Sequence, residues 1–219
     1  MIVEGFRLIV FDLDGTLVDS RRDIAESANA LLQSCGAAAL PEERIGRMVG
    51  DGAATLVARA FAAVGQTPPL DALPRFLAIY SGRLLQHTRV YPGMFEVLET
   101  LVLRATLAVL TNKPLESTRR ILEGLGLARY FAAEAVIGGD GPFARKPDPA
   151  GLLHLASAAG ASAEETLLVG DSVIDWRTAR HASASVCLAR YGFGFEGFPE
   201  GELRPFDRVV DTPLELLKL

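Results

Sequence analysis

The chain has 219 residues, of which 49% are hydrophobic, and its formal net charge at neutral pH is −5. This composition supports a buried core in one large or two small domains, and it excludes an intrinsically disordered chain. The acidic balance excludes a protein that coats nucleic acid or an anionic membrane, because either partner requires a basic surface. An anionic ligand would therefore have to be bound by a local group of positive charges.

The sequence predicts a cytoplasmic protein. Its longest apolar stretches, such as residues 105–110, are far too short to cross a bilayer, and Glu4 and Arg7 interrupt the region where a secretory signal needs an apolar run. The chain contains two cysteines, Cys35 and Cys187. Because disulfides are rare in the cytoplasm, we expect both to be buried, reduced thiols.

Short apolar runs alternate with segments of helical periodicity along the chain. The predicted strands are residues 7–11, 106–110, 135–137, 166–170, 185–189 and 208–210. This alternation predicts parallel strands joined by crossover helices. Because the strands are apolar throughout, we expect helices on both faces of the sheet. The predicted fold class is therefore α/β, with a Rossmann-like parallel sheet as its core.

One long interval between the first and second predicted strands breaks this alternation. Within it, residues 53–64 and 70–85 have the spacing of amphipathic helices. The interval is too long for an ordinary crossover connection. We therefore predict an α/β core domain formed by residues 1–17 and 91–219, and an inserted α-helical cap domain formed by residues 18–90.

Polar side chains follow the predicted strands, at the edge where parallel sheets bind ligands. These residues are Asp12, Asp14, Thr111, Asn112, Asp171 and Asp175, with Lys146 on a neighbouring loop. Because one residue separates Asp12 from Asp14, each raises the cost of ionising the other, and a cation is expected beside them. Clustered carboxylates without histidine or cysteine are typical ligands of Mg²⁺. The sequence therefore predicts Mg²⁺ as the cofactor.

These residue types suit phosphoryl transfer. An aspartate held beside a metal and in line with phosphorus can accept a phosphoryl group, which is the role we predict for Asp12. Asp14 would protonate the leaving alcohol and then activate water. Thr111, Asn112 and the ammonium group of Lys146 would bind the phosphoryl oxygens. The predicted partner is therefore a small phosphorylated metabolite.

Four motifs together resemble those of the haloacid dehalogenase superfamily of phosphohydrolases: DxDGT at 12–16, Thr111-Asn112, Lys146 within RKPDP, and GDSxxD at 170–175. The resemblance implies Asp12 as nucleophile, Asp14 as general acid and base, Thr111 and Lys146 as phosphate-binding residues, and Asp171 as a metal ligand with Asp12 and the Asp14 backbone carbonyl. Asp175 would be a further metal ligand or a partner of the ligands. The insertion resembles the helical cap that closes over the site and excludes water in this superfamily.

Stretches outside these motifs, such as residues 49–61 and 107–114, are most similar to phosphoglycolate phosphatases. The implied reaction is the hydrolysis of 2-phosphoglycolate to glycolate, by a monomer or a homodimer. The alternatives are a phosphomutase of the β-phosphoglucomutase type, a pyrophosphatase or sugar-phosphate phosphatase of the same superfamily, and a non-catalytic binding protein. We expect Arg21, Arg47 and Asp51 of the cap to influence substrate choice.

Residues 192–197 match the G-x-G-x-x-G pattern of dinucleotide-binding sites. Such a site requires a helix that begins within the glycines, whereas Pro199 and Pro205 interrupt any helix in this region. We therefore reject a dinucleotide site here. The segment is predicted to be a glycine-rich loop near the active site.

Overall fold

The computed structural model describes residues 5–195, 198–205 and 207–219, and these form an α/β protein. The strands are β1 (Leu8–Phe11), β2 (Val18–Asp19), β3 (Arg89–Val90), β4 (Thr106–Leu110), β5 (Val136–Ile137), β6 (Thr166–Gly170), β7 (Ser185–Ala189) and β8 (Arg208–Val210). The α-helices are α1 (Arg21–Ser34), α2 (Glu42–Gly46), α3 (Ala53–Ala63), α4 (Ala72–Ser81), α5 (Met94–Leu101), α6 (Leu115–Gly124), α7 (Ala150–Ala158) and α8 (Val173–His181). Short 3₁₀ helices occupy Ala128–Tyr130, Ala133–Ala135, Glu200–Glu202 and Pro213–Lys218.

Six of these strands form a parallel sheet in the order β5-β4-β1-β6-β7-β8. β1 lies in its interior, where Leu8 pairs with Thr106 of β4 and with Thr166 of β6. Because the strands are parallel, their carboxyl ends meet at one edge, and the residues that follow β1, β4 and β6 come together there. The predicted fold class, an α/β protein with a parallel sheet, is confirmed.

Both faces of the sheet are covered, as its apolar strands predict. Alternate residues of a strand point to opposite faces. Leu8 and Val10 belong to the same buried cluster as residues of α7 and α8. Ile9 and Phe11 belong to a second cluster, which includes residues of α5 and α6 and continues into the helices of the insertion. The insertion therefore shares a continuous apolar core with one side of the sheet.

The helices α1 to α4 occupy most of the interval predicted as a cap, and α1 contacts the other three. Their buried apolar side chains include Leu31, Phe61 and Phe76. β2 and β3 pair antiparallel where the chain leaves and rejoins the sheet. The sequence did not predict this pair, because two-residue strands carry no periodicity. The division into a core (residues 1–17 and 91–219) and a cap (18–90) stays a prediction.

Some expectations differ from the structure in detail. The helix predicted over residues 70–85 is Ala72–Ser81, and Gly82 follows its last turn. Both cysteines are free thiols, as expected, and Cys187 is buried. Cys35 is only half-buried because it follows the last turn of α1, so the prediction of two buried thiols was wrong for this residue. No helix in the described ranges is long and apolar enough to cross a membrane.

Candidate active site

Asp12 is the first residue after β1, and its side chain is largely buried. Its backbone N–H donates to the Val169 carbonyl of β6 at 2.8 Å, which fixes the start of the turn. The Lys146 ammonium nitrogen lies 2.9 Å from Asp12 Oδ1 and 2.6 Å from Asp175 Oδ1. Burial alone would lower the pKa of Lys146, but the charges of Asp12 and Asp175 raise it above its usual value. Lys146 is therefore a permanent cation between two carboxylates.

Asp175 also fixes the beginning of α8. Its backbone N–H donates to Ser172 Oγ at 3.4 Å, while its Oδ2 accepts from the Ser172 backbone N–H at 3.1 Å and from the Ser172 hydroxyl at 2.6 Å. This reciprocal capping box satisfies N–H groups that the first turn of a helix leaves unpaired. Asp175 thus connects the helix terminus to Lys146, and its carboxylate is fully buried.

Asp171 follows β6 and lies among three glycines. The Gly194 backbone N–H donates to Asp171 Oδ2 at 2.8 Å. A Cβ atom at Gly15 or Gly192 would clash with the Asp171 side chain. Gly15 also has a positive φ of 85°, which other residues rarely adopt. The predicted glycine-rich loop therefore reaches the site, although its residues 196 and 197 lie outside the described part of the chain.

Asp12, Asp171 and Asp175 form a buried acidic triad, with one oxygen atom of each lying within 4.8 Å of the others. Burial raises the pKa of Asp12 to about 6, although Lys146 opposes the shift. Burial, followed by the charges of Asp175 and Asp12, raises the pKa of Asp171 well above its usual range. Lys146 balances only one of the three carboxylates, so the ionised triad requires a further cation. Oxygen donors and an excess of negative charge fit Mg²⁺.

The Asp14 carboxylate faces a different lysine. Ser20 Oγ donates to Asp14 Oδ1 at 2.5 Å, and Lys113 Nζ lies 2.9 Å from Asp14 Oδ2. Lys113 Nζ also donates to the hydroxyl of Tyr80, on α4, at 2.7 Å. Burial alone would lower the pKa of Lys113, but the charge of Asp14 raises it. The Asp14 carboxylate is not part of the acidic triad, and the contact of its backbone carbonyl with a metal stays a prediction.

Thr111 and Asn112 follow β4, at the same edge of the sheet. Thr111 Oγ1 accepts from the Lys113 backbone N–H at 3.2 Å. The Asn112 amide nitrogen donates to the Gly50 carbonyl at 2.8 Å and to the Lys146 carbonyl at 2.9 Å. Because both N–H donors are engaged, Asn112 connects the helical insertion to the Lys146 loop. The predicted contacts of Thr111 and Asn112 with phosphate stay predictions.

A cavity of about 60 Å³ lies between these residues and the helical insertion. Its polar wall includes the carboxylates of Asp12, Asp14 and Asp171. The opposite wall is apolar, with Leu56 of α3 and Phe76 of α4 among its side chains. Cavities that combine apolar walls with a few convergent polar groups are typical ligand sites. Five of the predicted site residues line this cavity, whereas Lys146 and Asp175 do not; the five are Asp12, Asp14, Thr111, Asn112 and Asp171.

Lys113 and Tyr80 contribute to this cavity, and neither was predicted from the sequence. Lys113 directly follows Thr111 and Asn112, so its position after a strand was an available signal. Tyr80 gave no comparable signal, because it lies on the apolar face of a helix 33 residues before the lysine that it contacts. Contacts between the insertion and the sheet could not be derived from periodicity.

The three insertion residues expected to influence substrate choice do not line this cavity. Arg21 donates to Glu42 at 3.0 Å, and Asp51 pairs with Arg59 at 2.5 Å. These ion pairs lie near the protein surface. Arg47 also lies outside the lining, so the influence of all three on substrate choice stays a prediction.

Comparison with known proteins gives consistent findings. The haloacid dehalogenase-like hydrolase family matches residues 9–189 of the chain. A phosphoglycolate phosphatase of Rhodospirillum rubrum is 43% identical over 92% of this chain and 87% of its own length. A phosphoglycolate phosphatase of Agrobacterium fabrum is 38% identical, over 93% and 88% respectively. A crystal structure described as a predicted phosphoglycolate phosphatase from Haemophilus somnus superposes with a TM-score of 0.89, at 30% identity, over 99% of this chain and 98% of that one.

Proposed function

The chain belongs to the haloacid dehalogenase-like hydrolase family, and from this premise we propose that it is a Mg²⁺-dependent phosphatase that hydrolyses 2-phosphoglycolate to glycolate. The observation that carries the proposal is the Asp12–Lys146 pair within the acidic triad, at the carboxyl ends of the central strands. Two relatives that are 43% and 38% identical to this chain are named phosphoglycolate phosphatase, which supports 2-phosphoglycolate as the substrate.

In the first step, Asp12 attacks phosphorus. A bond forms between the Asp12 carboxylate oxygen and phosphorus, and the bond between phosphorus and the ester oxygen breaks. Asp14 donates a proton to the departing alkoxide, which leaves as the glycolate hydroxyl. Lys146 holds the Asp12 carboxylate in place by an ion pair. The same ammonium group also contacts the buried Asp175, which fixes its position.

In the second step, water hydrolyses the aspartyl-phosphate. Asp14, now deprotonated, accepts a proton from the water as its oxygen attacks phosphorus. The bond between phosphorus and Asp12 breaks, which releases inorganic phosphate and restores the Asp12 carboxylate. The same aspartate therefore serves as acid in one step and as base in the next.

Asp12 and Asp171 are the side chains that would hold Mg²⁺, with Asp175 beside them. When bound, the ion supplies charge neutralisation for the phosphoryl oxygens and for the triad. The glycines around Asp171 would keep its carboxylate in one orientation, because they leave room for it and for little else. The helical insertion, as a cap, would exclude bulk water from the aspartyl-phosphate.

A phosphate-release assay of the purified protein with Mg²⁺ tests the proposal. The substrates are 2-phosphoglycolate, β-glucose 1-phosphate and inorganic pyrophosphate, and the Asp12→Asn variant controls for contaminating phosphatases. We expect 2-phosphoglycolate to have the highest kcat/KM. A higher kcat/KM for either alternative substrate would overturn the assignment of 2-phosphoglycolate as the substrate. If none of the substrates releases phosphate in the presence of Mg²⁺, the phosphatase assignment is overturned.

A further inference from the structure

Lys113 is one of three lysines in the whole sequence, although the chain contains 19 arginines. Lys113 and Lys146 are buried, whereas Lys218 is exposed near the end of the chain. Burying an ammonium group is costly unless carboxylates or other acceptors compensate for the lost water. The charge of Lys146 is compensated by the two aspartates that it contacts. The proposed reaction gives Lys113 no comparable role.

Lys113 is the one basic residue among those that line the cavity in the described part of the chain. Its ammonium group has three N–H donors. Asp14 Oδ2 at 2.9 Å and the Tyr80 hydroxyl at 2.7 Å take two of them. The nitrogen also lies 4.4 Å from the centre of the Tyr80 ring, so the ring restricts where it can move. The geometry holds a positive charge at the cavity wall with one donor left for a ligand.

The proposed substrate carries two anionic groups, a phosphate and a carboxylate, separated by a single carbon and the ester oxygen. Its phosphate would occupy the space beside Asp12 and Asp171. Its carboxylate must then lie close by, in a cavity that is otherwise lined by carboxylates of the sheet edge, by neutral polar side chains such as Thr111, and by apolar side chains such as Phe76. An uncompensated carboxylate in such a place would be strongly destabilised.

We infer that Lys113 binds the carboxylate of the substrate and so determines substrate choice, with Tyr80 positioning its ammonium group. This inference rests on the proposed function and deepens it. The substrate class that follows is a phosphomonoester whose leaving group carries a carboxylate next to the ester carbon. Because Lys113 also contacts Asp14, the substrate carboxylate lies against the residue that protonates the leaving oxygen.

Two substrates of similar size separate this role from a purely structural one. The first is 2-phosphoglycolate, and the second is 2-hydroxyethyl phosphate, in which an uncharged hydroxymethyl group replaces the carboxylate. We measure kcat/KM for both with the wild type, Lys113→Met, Lys113→Arg and Tyr80→Phe. Lys218→Met removes the same charge from the exposed lysine and is the matched control.

We expect Lys113→Met to lower the ratio of the two kcat/KM values, 2-phosphoglycolate over 2-hydroxyethyl phosphate, by about 10- to 100-fold, the worth of a charge-assisted hydrogen bond. Lys113→Arg keeps the charge and should retain more of this ratio than Lys113→Met does. Tyr80→Phe should lower it by about threefold. Lys218→Met should leave it unchanged. Because both substrates are assayed on one preparation, the ratio does not depend on the fraction of enzyme that is folded.

An equal loss of kcat/KM for both substrates in Lys113→Met would overturn the inference, because it would mean that Lys113 acts only through Asp14. That result would leave the proposed phosphatase activity intact. By contrast, a wild-type protein that releases phosphate from neither ester would overturn the proposed function, and the inference with it.

Discussion

At the scale of single residues, the two aspartates of the first motif have separate environments. Asp12 pairs with Lys146, while Asp14 pairs with Lys113 and accepts from Ser20. Without such partners, two carboxylates one residue apart would repel each other, and each would raise the cost of ionising the other. Each carboxylate therefore has its own ammonium partner, and the two side chains occupy different positions for the separate roles that the proposed reaction gives them.

The Asp12→Asn variant tests the nucleophile. An amide has no anionic oxygen to attack phosphorus, so we expect kcat to fall by at least about 1,000-fold. The melting temperature should not fall, because burial disfavours the charge of Asp12 in the absence of metal. Phosphate release and thermal melting measure the two effects. Asp71→Asn, which changes an exposed aspartate, is the matched control. A kcat within tenfold of the wild type would contradict the role of Asp12.

The Lys146→Met variant tests the role of the ammonium group that pairs with Asp12. Its loss leaves Asp12 and Asp175 facing each other without the charge that now lies between them. We expect kcat/KM for 2-phosphoglycolate to fall by about 100-fold or more, the usual effect of removing one stabilising donor. Lys218→Met, in steady-state assays run beside it, should match the wild type. Equal values for the two variants would show that Lys146 has no part in the reaction.

At the scale of secondary structure, one buried carboxylate connects the first and last parts of the helical insertion. Asp23 of α1 is fully buried. Its carboxylate accepts from the backbone N–H groups of His87 and Thr88, at 2.8–3.0 Å, and from the Thr88 hydroxyl at 2.7 Å. These bonds fix α1 to the segment that enters β3. They also satisfy backbone groups that no strand or helix pairs.

Replacement of Asp23 by asparagine should destabilise the protein. The new amide group would turn a donor toward backbone N–H groups and would lose the charge that strengthens their bonds. We expect the free energy of unfolding to fall by about 2–4 kcal/mol. Urea denaturation monitored by circular dichroism measures the change, with Asp71→Asn as the exposed control. A loss below about 0.5 kcal/mol would show that these bonds contribute little.

The elements that the sequence predicted correctly are those with a strong local pattern. β4, β6, β7 and β8 lie at the predicted residues, and the first three of these are largely apolar runs buried within the sheet. The residues after β1, β4 and β6 could be grouped because parallel strands present the same edge. Lys146 was predicted to bind phosphoryl oxygens at this edge, and its ammonium nitrogen lies 2.9 Å from the Asp12 carboxylate; its contact with phosphate stays a prediction.

The parts that could not be predicted depend on contacts across the chain. The two-residue strands β2 and β3 exist only as a pair and have no pattern of their own. The Tyr80–Lys113 contact requires the packing of α4 over the sheet edge, which no spacing encodes. Likewise, the capping of α8 by Asp175 could be guessed from Ser172, but its simultaneous contact with Lys146 could not.

At the scale of the whole molecule, the site concentrates negative charge in an already acidic protein. The net charge is −5, and the triad places three carboxylates beside one ammonium group in a buried region. Such an arrangement costs free energy in the metal-free protein and is relieved when a divalent cation binds. The increase in stability that a bound metal gives the fold should therefore depend on pH.

Thermal melting with and without Mg²⁺ tests this linkage. Burial raises the pKa of Asp12 from 3.8 to about 6, so the folded protein binds more protons than the unfolded chain between these values. Without metal, the free energy of unfolding should therefore fall as pH rises through this range. Mg²⁺ binds the ionised carboxylates, so the increase in melting temperature that it causes should be larger at about pH 7.5 than at about pH 5, by roughly 3 °C or more.

The Asp171→Asn variant is the control for this experiment. The amide keeps the size of the side chain but offers the metal no charge, so the increase in melting temperature with Mg²⁺ should be lost or greatly reduced at both pH values. An Mg²⁺ effect of equal size at both pH values in the wild type would contradict the linkage. An unchanged effect in Asp171→Asn would exclude this residue as a ligand.

The position of β1 in the interior of the sheet has a consequence for synthesis on the ribosome. Leu8 is made early, yet its two partners, Thr106 and Thr166, follow about 100 and 160 residues later. At about 5–20 residues per second, the first strand waits roughly ten to thirty seconds before both of its neighbours exist. Until β4 is made, this apolar segment has no neighbouring strand of the sheet to pair with. Asp171 and Asp175 follow β6, so the carboxylates of the acidic triad come together only late in synthesis.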